Sequence, residues 1–345
     1  MTNLREEQIS RITINGYKSI KSADIKLENI NVLIGCNGAG KSNFVSVFEL
    51  LQARLYGKTC EYGIKKGAST LFYNSPKVTE KILLQFYDNG GINTTYRFGL
   101  SEESELINLN PTTVVGNYWD SIDKYAKSQR QWKIYHCNDT SPMAKIKQDS
   151  DIANNEMLLQ DFRNLSAFLY RLKNDYPKNY ADIVQTIQLI APFFADFVLI
   201  PQGEHQQYIV LRWQEKAFED TFSASQLSDG TLRFICLATL LLQPPELQPA
   251  TIIIDEPELG LHPVATTIFA ELVKKAATNK QIILSTQSVE LLNHFAVEDV
   301  IVVDRDENGS QFKRLNSAQL ADWLEDDYTL GDLWKKNIIG GRFAQ

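Results

Sequence analysis

A chain of 345 residues with 43% hydrophobic and 22% charged composition can bury a sizeable core and is too evenly mixed to be disordered. Its formal net charge of -7 argues against a protein that coats nucleic acid, although a local basic face is compatible with that balance. The four cysteines, Cys36, Cys60, Cys137 and Cys236, form no C-x-x-C pair and the four histidines show no metal-ligand spacing, so the thiols read as reduced and a zinc site is excluded.

The polar N-terminus lacks the apolar stretch of a signal peptide. The longest apolar run, Phe234 to Leu242, is far shorter than the about 20 residues that span a bilayer. A cytoplasmic protein with no membrane contact is expected.

Segments 11–14 and 23–34 read as strands, followed by a glycine-rich turn and a helix. In that helix Phe44, Val47, Phe48, Leu51 and Leu55 fall on one face. Segments 79–87 and 94–100 read as strands joined by the turn Asp88-Asn89-Gly90-Gly91. The chain is then polar to about residue 150 and helical in pattern from 156 to 192, so 101–195 reads as a largely helical insertion. Strand-like runs return at 196–200, 207–213, 251–254, 281–284 and 299–303, the last three alternating with helical stretches 230–242, 263–277 and 288–295. That rhythm predicts a parallel sheet with its ligand at the carboxyl ends of the strands. The expected division is a core in two parts, 1–100 and 196–310, around the insertion, with a tail element at 311–345.

Gly35-Cys36-Asn37-Gly38-Ala39-Gly40-Lys41-Ser42 is a complete G-x-x-x-x-G-K-S between an apolar strand and an amphipathic helix, the context a P-loop requires. Its glycines let N–H groups point at phosphate oxygens, and the helix N-terminus adds partial positive charge. Lys41 is placed to reach the β- and γ-phosphates of ATP and Ser42 to hold Mg²⁺, with Asn43 next to the cradle. A chance match gives this pattern in about one chain in a hundred, fewer with the strand and helix in place.

Thr251 to Glu256 is an apolar strand that delivers two carboxylates at its end, the form of a Walker B element. Asp255 is the candidate Mg²⁺ ligand and Glu256 the candidate residue that orients the attacking water. The plainer alternative is a strand ending in a charged turn, to which Pro257 is suited. Leu227-Ser228-Asp229-Gly230-Thr231 opens an apolar helix, where Ser228 and Gly230 are either an anion site or an ordinary N-cap.

Together these motifs resemble the RecF/SMC-type ABC ATPases, in the branch described as AAA-type ATPases. LSDGT is similar to the LSGGQ signature of that class. The turn Tyr17-Lys18-Ser19-Ile20, the segment His136 to Pro142, DEPELGLHP, STQS and GDLWKKNIIGG are similar to its landmarks, so the likeness covers nearly the whole chain. The resemblance implies an α/β P-loop NTPase fold of ABC type, a mixed sheet core with an N-terminal antiparallel part and a helical insertion. It implies an ATP-dependent homodimer, each ATP held by the P-loop of one copy and by Ser228 and Gly230 of the other. Asp229 departs from the usual glycine and puts a carboxylate near the phosphates.

On the same resemblance, Glu258 to Pro263 is the loop along the dimer seam, with His262 alternatively a helix-start residue. Gln287 stands where relatives carry a switch histidine. It can hydrogen-bond but cannot become cationic, which predicts slow ATP hydrolysis with Glu256, Lys41 and Gln287 as catalytic residues. The Q-loop glutamine of the class has no clear equivalent: Gln85 reads as a strand residue, and His136 to Pro142 is a candidate replacement. Arg233 reads as a phosphate contact or a helix-surface residue. Phe193, Phe194, Phe197, Trp213 and Phe218 read as core in preference to a base-stacking platform. Three outputs fit. One is action on DNA through Arg163, Arg171, Lys173 and Lys178. A second is control of an effector such as a nuclease or toxin encoded nearby, in defence against phage. The third is service as the ATPase subunit of an ABC transporter, with an interaction module of little turnover as a further alternative.

Overall fold

The apolar runs and helical stripes of the sequence fold into two units in the computed structural model, which describes residues 6, 8–91, 93–109, 113–115, 132–137, 139–321, 323 and 328–341. In chain order the elements begin β1 (Ile9–Tyr17), β2 (Ile20–Lys26), β3 (Ile30–Ile34), α1 (Lys41–Leu55), α2 (Thr59–Lys66), β4 (Ile82–Asp88), β5 (Asn93–Leu100), β6 (Leu106–Asn108), β7 (Thr113–Val115) and β8 (Trp132–Tyr135). There follow β9 (Ser150–Asp151), α3 (Leu165–Asp175), α4 (Pro177–Ile190), β10 (Phe194–Val198), β11 (Tyr208–Ile209), β12 (Arg212–Glu215), β13 (Thr221–Ser223) and α5 (Asp229–Leu242). The chain ends with β14 (Thr251–Asp255), α6 (Pro263–Ala276), β15 (Gln281–Thr286), α7 (Val289–Leu292), β16 (Val300–Asp306), β17 (Gly309–Arg314) and α8 (Leu330–Lys335).

The first unit comprises Met1–Ile134, Ala250–Asp255 and Asn279–Gln345. Its central sheet has the order β17-β16-β3-β15-β14-β8. β3, β14, β15 and β16 pair in parallel, as the β-α-β rhythm predicts, and β17 returns antiparallel on β16. Continuous apolar runs suit strands covered on both faces, and all six residues of β15 are buried. A second sheet, β2-β1-β4-β5-β6 with β7 on β5, is antiparallel. The predicted hairpin turn lies between β4 and β5. Gln281 ties the two sheets together: its Oε1 accepts from the Ile9 N–H (3.2 Å) and Thr251 Oγ1 (3.0 Å), and its Nε2 donates to the Ile9 and Glu28 carbonyls (2.8 and 3.0 Å). Of the predicted stripe on α1, Phe44, Val47, Phe48 and Leu51 are buried and Leu55 is half-buried.

The second unit comprises Tyr135–Pro249 and Glu256–Thr278. Here α3 packs on α4, α4 on α5, and α5 on α6. A small antiparallel sheet, β10-β12-β13, carries Phe194, Phe197 and Trp213 in the core, with the Phe194 and Trp213 rings stacked at 5.9 Å. Phe193 and Phe218, expected in that core, are 43% and 54% exposed.

Two single runs of the sequence divide into separate strands. The 23–34 run breaks between β2 and β3 because the Asn31 side chain takes both backbone groups of Glu28, accepting from its N–H (2.9 Å) and donating to its carbonyl (2.6 Å). The 207–213 run changes partners: β11 pairs with β9, and β12 with β10 and β13. Residues 116–131 of the polar stretch, Asn138, and 324–327 of the tail lie outside the described residues.

Candidate functional site

The glycine-rich loop leaves β3 at Ile34 and enters α1 at Lys41. Gly38 and Gly40 have φ of +79° and +123°, in the region that favours glycine. A Cβ on Gly40 meets Ser310 Oγ at 2.1 Å, and one on Gly35 meets the Val303 carbonyl at 2.3 Å. α1 begins without a side-chain cap and has no acidic residue in its first turn, so its leading N–H groups are presented to an anion. Lys41 is only 4% exposed, and its Nζ donates to the Gly35 and Cys36 carbonyls at 2.6 and 3.1 Å. Asn37, Gly38 and Ser42 are exposed, and Ala39 is buried. The Asn43 amide donates to Ser19 Oγ (2.7 Å), a bracing contact behind the loop.

Other braces were not legible in the motif. Ser310 Oγ donates to the Ala39 carbonyl (2.6 Å) and lies 2.7 Å from Ser19 Oγ, so the β1–β2 turn and β17 grip the loop from behind. Arg305 Nη1 donates to the Gly38 carbonyl (3.3 Å). The tail also reaches the loop: the Cys36 N–H donates to the Gly341 carbonyl (2.7 Å), and the Gly341 N–H donates to Asp304 Oδ1 (2.8 Å). The available signal was the Gly340-Gly341 pair, both at positive φ. Beneath α1, Lys18 Nζ donates to Ser46 Oγ (2.8 Å), and burial holds its ammonium below the ordinary lysine range.

Strand register sets the rest of the edge. Thr286 of β15 pairs with Ile34 of β3, and Asp255 of β14 pairs with Ser285. The sheet therefore brings Lys41, Ser42, Asp255 and Gln287 to the carboxyl ends of three neighbouring parallel strands. The Ser42 hydroxyl and Asp255 carboxylate are the hard oxygen donors that Mg²⁺ takes, and with the uncapped helix start they fit a magnesium nucleotide. Glu256 follows Asp255 with φ +49°, a left-handed conformation costing about 1–2 kcal/mol for a residue with a side chain. Such strain concentrates at functional positions.

Ser228 and Gly230 belong to the second unit. Ser228 caps α5, its Oγ accepting from the Thr231 N–H (3.2 Å). Gly230 is required by packing, since a Cβ there meets the Gly260 carbonyl at 2.3 Å. Arg233 Nη1 donates to the Leu259 carbonyl (2.5 Å), holding the 258–263 loop of its own chain. His262 caps α6, its Nδ1 accepting from the Val264 N–H (3.3 Å). At these two helix starts lies a 330 Å³ cavity, with Ser228, Gly230, Thr231, Gly260 and His262 among its lining residues.

Gln85 is a strand residue, bonded to Thr13 and Thr95. Of the four candidate DNA-contacting cations, Arg163 pairs with Asp161 (2.9 Å), Arg171 with Asp175 (3.5 Å) and Lys173 with Asp196 (2.9 Å), while Lys178 is exposed. Burial pushes the Cys137 thiol up to about 12 and raises that of Cys236. Among the described residues there is no group of three or more His, Cys, Asp or Glu that could hold a metal and no helix long and apolar enough to cross a membrane.

The protein has the fold of an SMC-head-like P-loop ATPase, with the glycine-rich loop at the carboxyl edge of its parallel strands. Its fold is similar to an SMC head bound to the C-terminal winged-helix domain of ScpA, with TM-score 0.63 and 15% identity over 91% of this chain and 99% of that one. It is also similar to a Pyrococcus furiosus SMC head bound to the C-terminal domain of ScpA (TM-score 0.61, 14% identity, 93% and 99% covered). A third similar structure is the SMC head of Thermotoga maritima (TM-score 0.50, 15% identity, 90% and 99% covered). Residues 30–293 match the family described as "AAA domain, putative AbiEii toxin, Type IV TA system", and the chain belongs to that family.

Two curated phosphate import ATP-binding proteins are more partial relatives. PstB 1 of Synechococcus sp. (strain JA-3-3Ab) is 24% identical over 44% of this chain and 55% of its own length. PstB of Thermotoga maritima is 23% identical over 45% of this chain and 62% of its own length. The chain thus spans about half to three-fifths of the curated relatives it matches.

Proposed function

We propose that this protein is a slow ATPase that closes as a homodimer around ATP and Mg²⁺, acting in the cytoplasm as the sensor of a partner effector. The observation that carries the reading is the edge where Lys41, Ser42, Asp255 and Gln287 meet beside an uncapped helix start. Lys41 and the loop N–H groups bind the triphosphate, with Ser42 and Asp255 as the Mg²⁺ holders. Mg²⁺, when bound, supplies charge neutralisation at the phosphate oxygens. Glu256 orients water for in-line attack, and Gln287 offers a hydrogen bond without positive charge, which keeps turnover low. Ser228 and Gly230 of the second copy complete the site, and helices α3 and α4 of the second unit and the 311–345 tail carry the change of state outward.

Effector control is favoured over action on DNA because three of the four candidate cations are engaged by carboxylates. The family description names a putative toxin and a type IV TA system beside the AAA domain, which supports a role in a toxin system over one on DNA. The transporter reading rests on a match to less than half of the chain.

The test is the mass of Glu256→Gln by light scattering with and without ATP and Mg²⁺. Doubling with ATP is the expected result, and a variant that stays monomeric at saturating ATP contradicts the reading.

A further inference from the structure

Asp229 is the first residue of α5, immediately after the cap Ser228, and its side chain is 66% exposed. A carboxylate there suits the helix dipole but repels any phosphate drawn to the same N-terminus. Lys147 stands beside it, Nζ 3.9 Å from Asp229 Oδ1. This lysine is not a loose surface cation, since its side chain is only 7% exposed and Nζ donates to the Thr140 carbonyl at 2.5 Å.

The seat of the lysine is itself fixed. Asp139 Oδ1 accepts from the N–H (3.2 Å) and hydroxyl (2.7 Å) of Ser141. The Ala144 N–H donates to the Ser141 carbonyl (3.0 Å), and the Lys147 N–H to the Ala144 carbonyl (2.9 Å). Residues 139–147 thus form a turn that delivers one ammonium to the signature. This gives residues 139–142 of the segment singled out in the sequence a placement beside α5.

We propose that Lys147 is the positioning residue that makes an acidic signature workable. It neutralises Asp229, so that the γ-phosphate of ATP bound to a second copy can dock at Ser228. At 3.9 Å the ammonium is close enough for charge compensation but longer than a hydrogen bond, leaving it within reach of an anion at the same helix start. The inference rests on the homodimer reading above.

The experiment is a double-mutant cycle in the Glu256→Gln protein, with association measured by sedimentation in ATP and Mg²⁺ and ATP uptake measured separately. Lys147→Met is expected to weaken ATP-dependent association about tenfold or more while ATP uptake stays unchanged. Asp229→Asn alone does not weaken association, and added to Lys147→Met it restores it to within about threefold of the parent. Lys147→Arg keeps the charge and stays in the same range. Association of Lys147→Met equal to the parent overturns the proposal, as does a double variant no stronger than Lys147→Met. Should Lys147→Met fail to fold, Lys147→Gln, which keeps a stem and a donor for Thr140, carries the same cycle. A parent that binds ATP but never associates removes the homodimer reading and this inference with it.

Discussion

Lys41 is 4% exposed, and its loop is held from behind by Ser19, Asn43, Ser310, Arg305 and Gly341. The signature segment differs: Asp229 is two-thirds exposed and Ser228 caps its own helix. Both regions use a glycine and a helix N-terminus. At α1 the leading N–H groups have no side-chain cap, so a phosphate can fill that role directly. At α5 an incoming phosphate must share the helix start with Ser228 and meet the field of Asp229. On the proposed reading, nucleotide affinity resides in the P-loop and the signature contributes only to closure.

The largest expected effect separates the two at once. Gly40→Ala forces a side chain into φ +123° and onto Ser310 Oγ, and is expected to lower ATP affinity about a hundredfold or more in an equilibrium uptake assay. Gly230→Ala pushes a Cβ against the Gly260 carbonyl and is expected to cost about 1–3 kcal/mol in denaturant unfolding. ATP uptake by Gly230→Ala stays near that of the parent while ATP-dependent association falls. Loss of uptake in that variant breaks the comparison.

Smaller changes sharpen it. Asp304→Ala removes the acceptor of the Gly341 N–H and is expected to weaken ATP affinity a few-fold, the effect of about 1 kcal/mol from one lost hydrogen bond. Calorimetric titration reads this directly, and an unchanged affinity shows that the tail does not brace the loop. Gln287→His restores an ionisable group and is expected to raise steady-state turnover by a few-fold. An unchanged or lower rate contradicts the role given to Gln287.

The P-loop was legible because its parts are contiguous: strand, glycines and helix follow one another between Ile30 and Leu55. Asp255 was legible for the same reason, as the end of one apolar strand. The braces were not, because they join distant positions; Ser19 and Ser310 are 291 residues apart. The sequence showed that Asp229 breaks the usual pattern but could not show its counter-charge, since Lys147 reaches it only through a turn that Asp139 and Ala144 help to form. Arg233 was read as a phosphate contact or a surface residue because sequence spacing carries no information about the Leu259 carbonyl it holds. The paired carboxylates beside Arg163 and Lys173 were hidden in the same way, which made a basic face look more open than it is.

Equilibrium uptake of labelled ATP with Mg²⁺, by the parent and by Lys41→Ala, tests most directly whether this loop grips a triphosphate. Saturable uptake by the parent and a loss of about a hundredfold or more in Lys41→Ala are the expected results. Equal uptake by both proteins, or none by the parent, contradicts the P-loop as the seat of nucleotide binding.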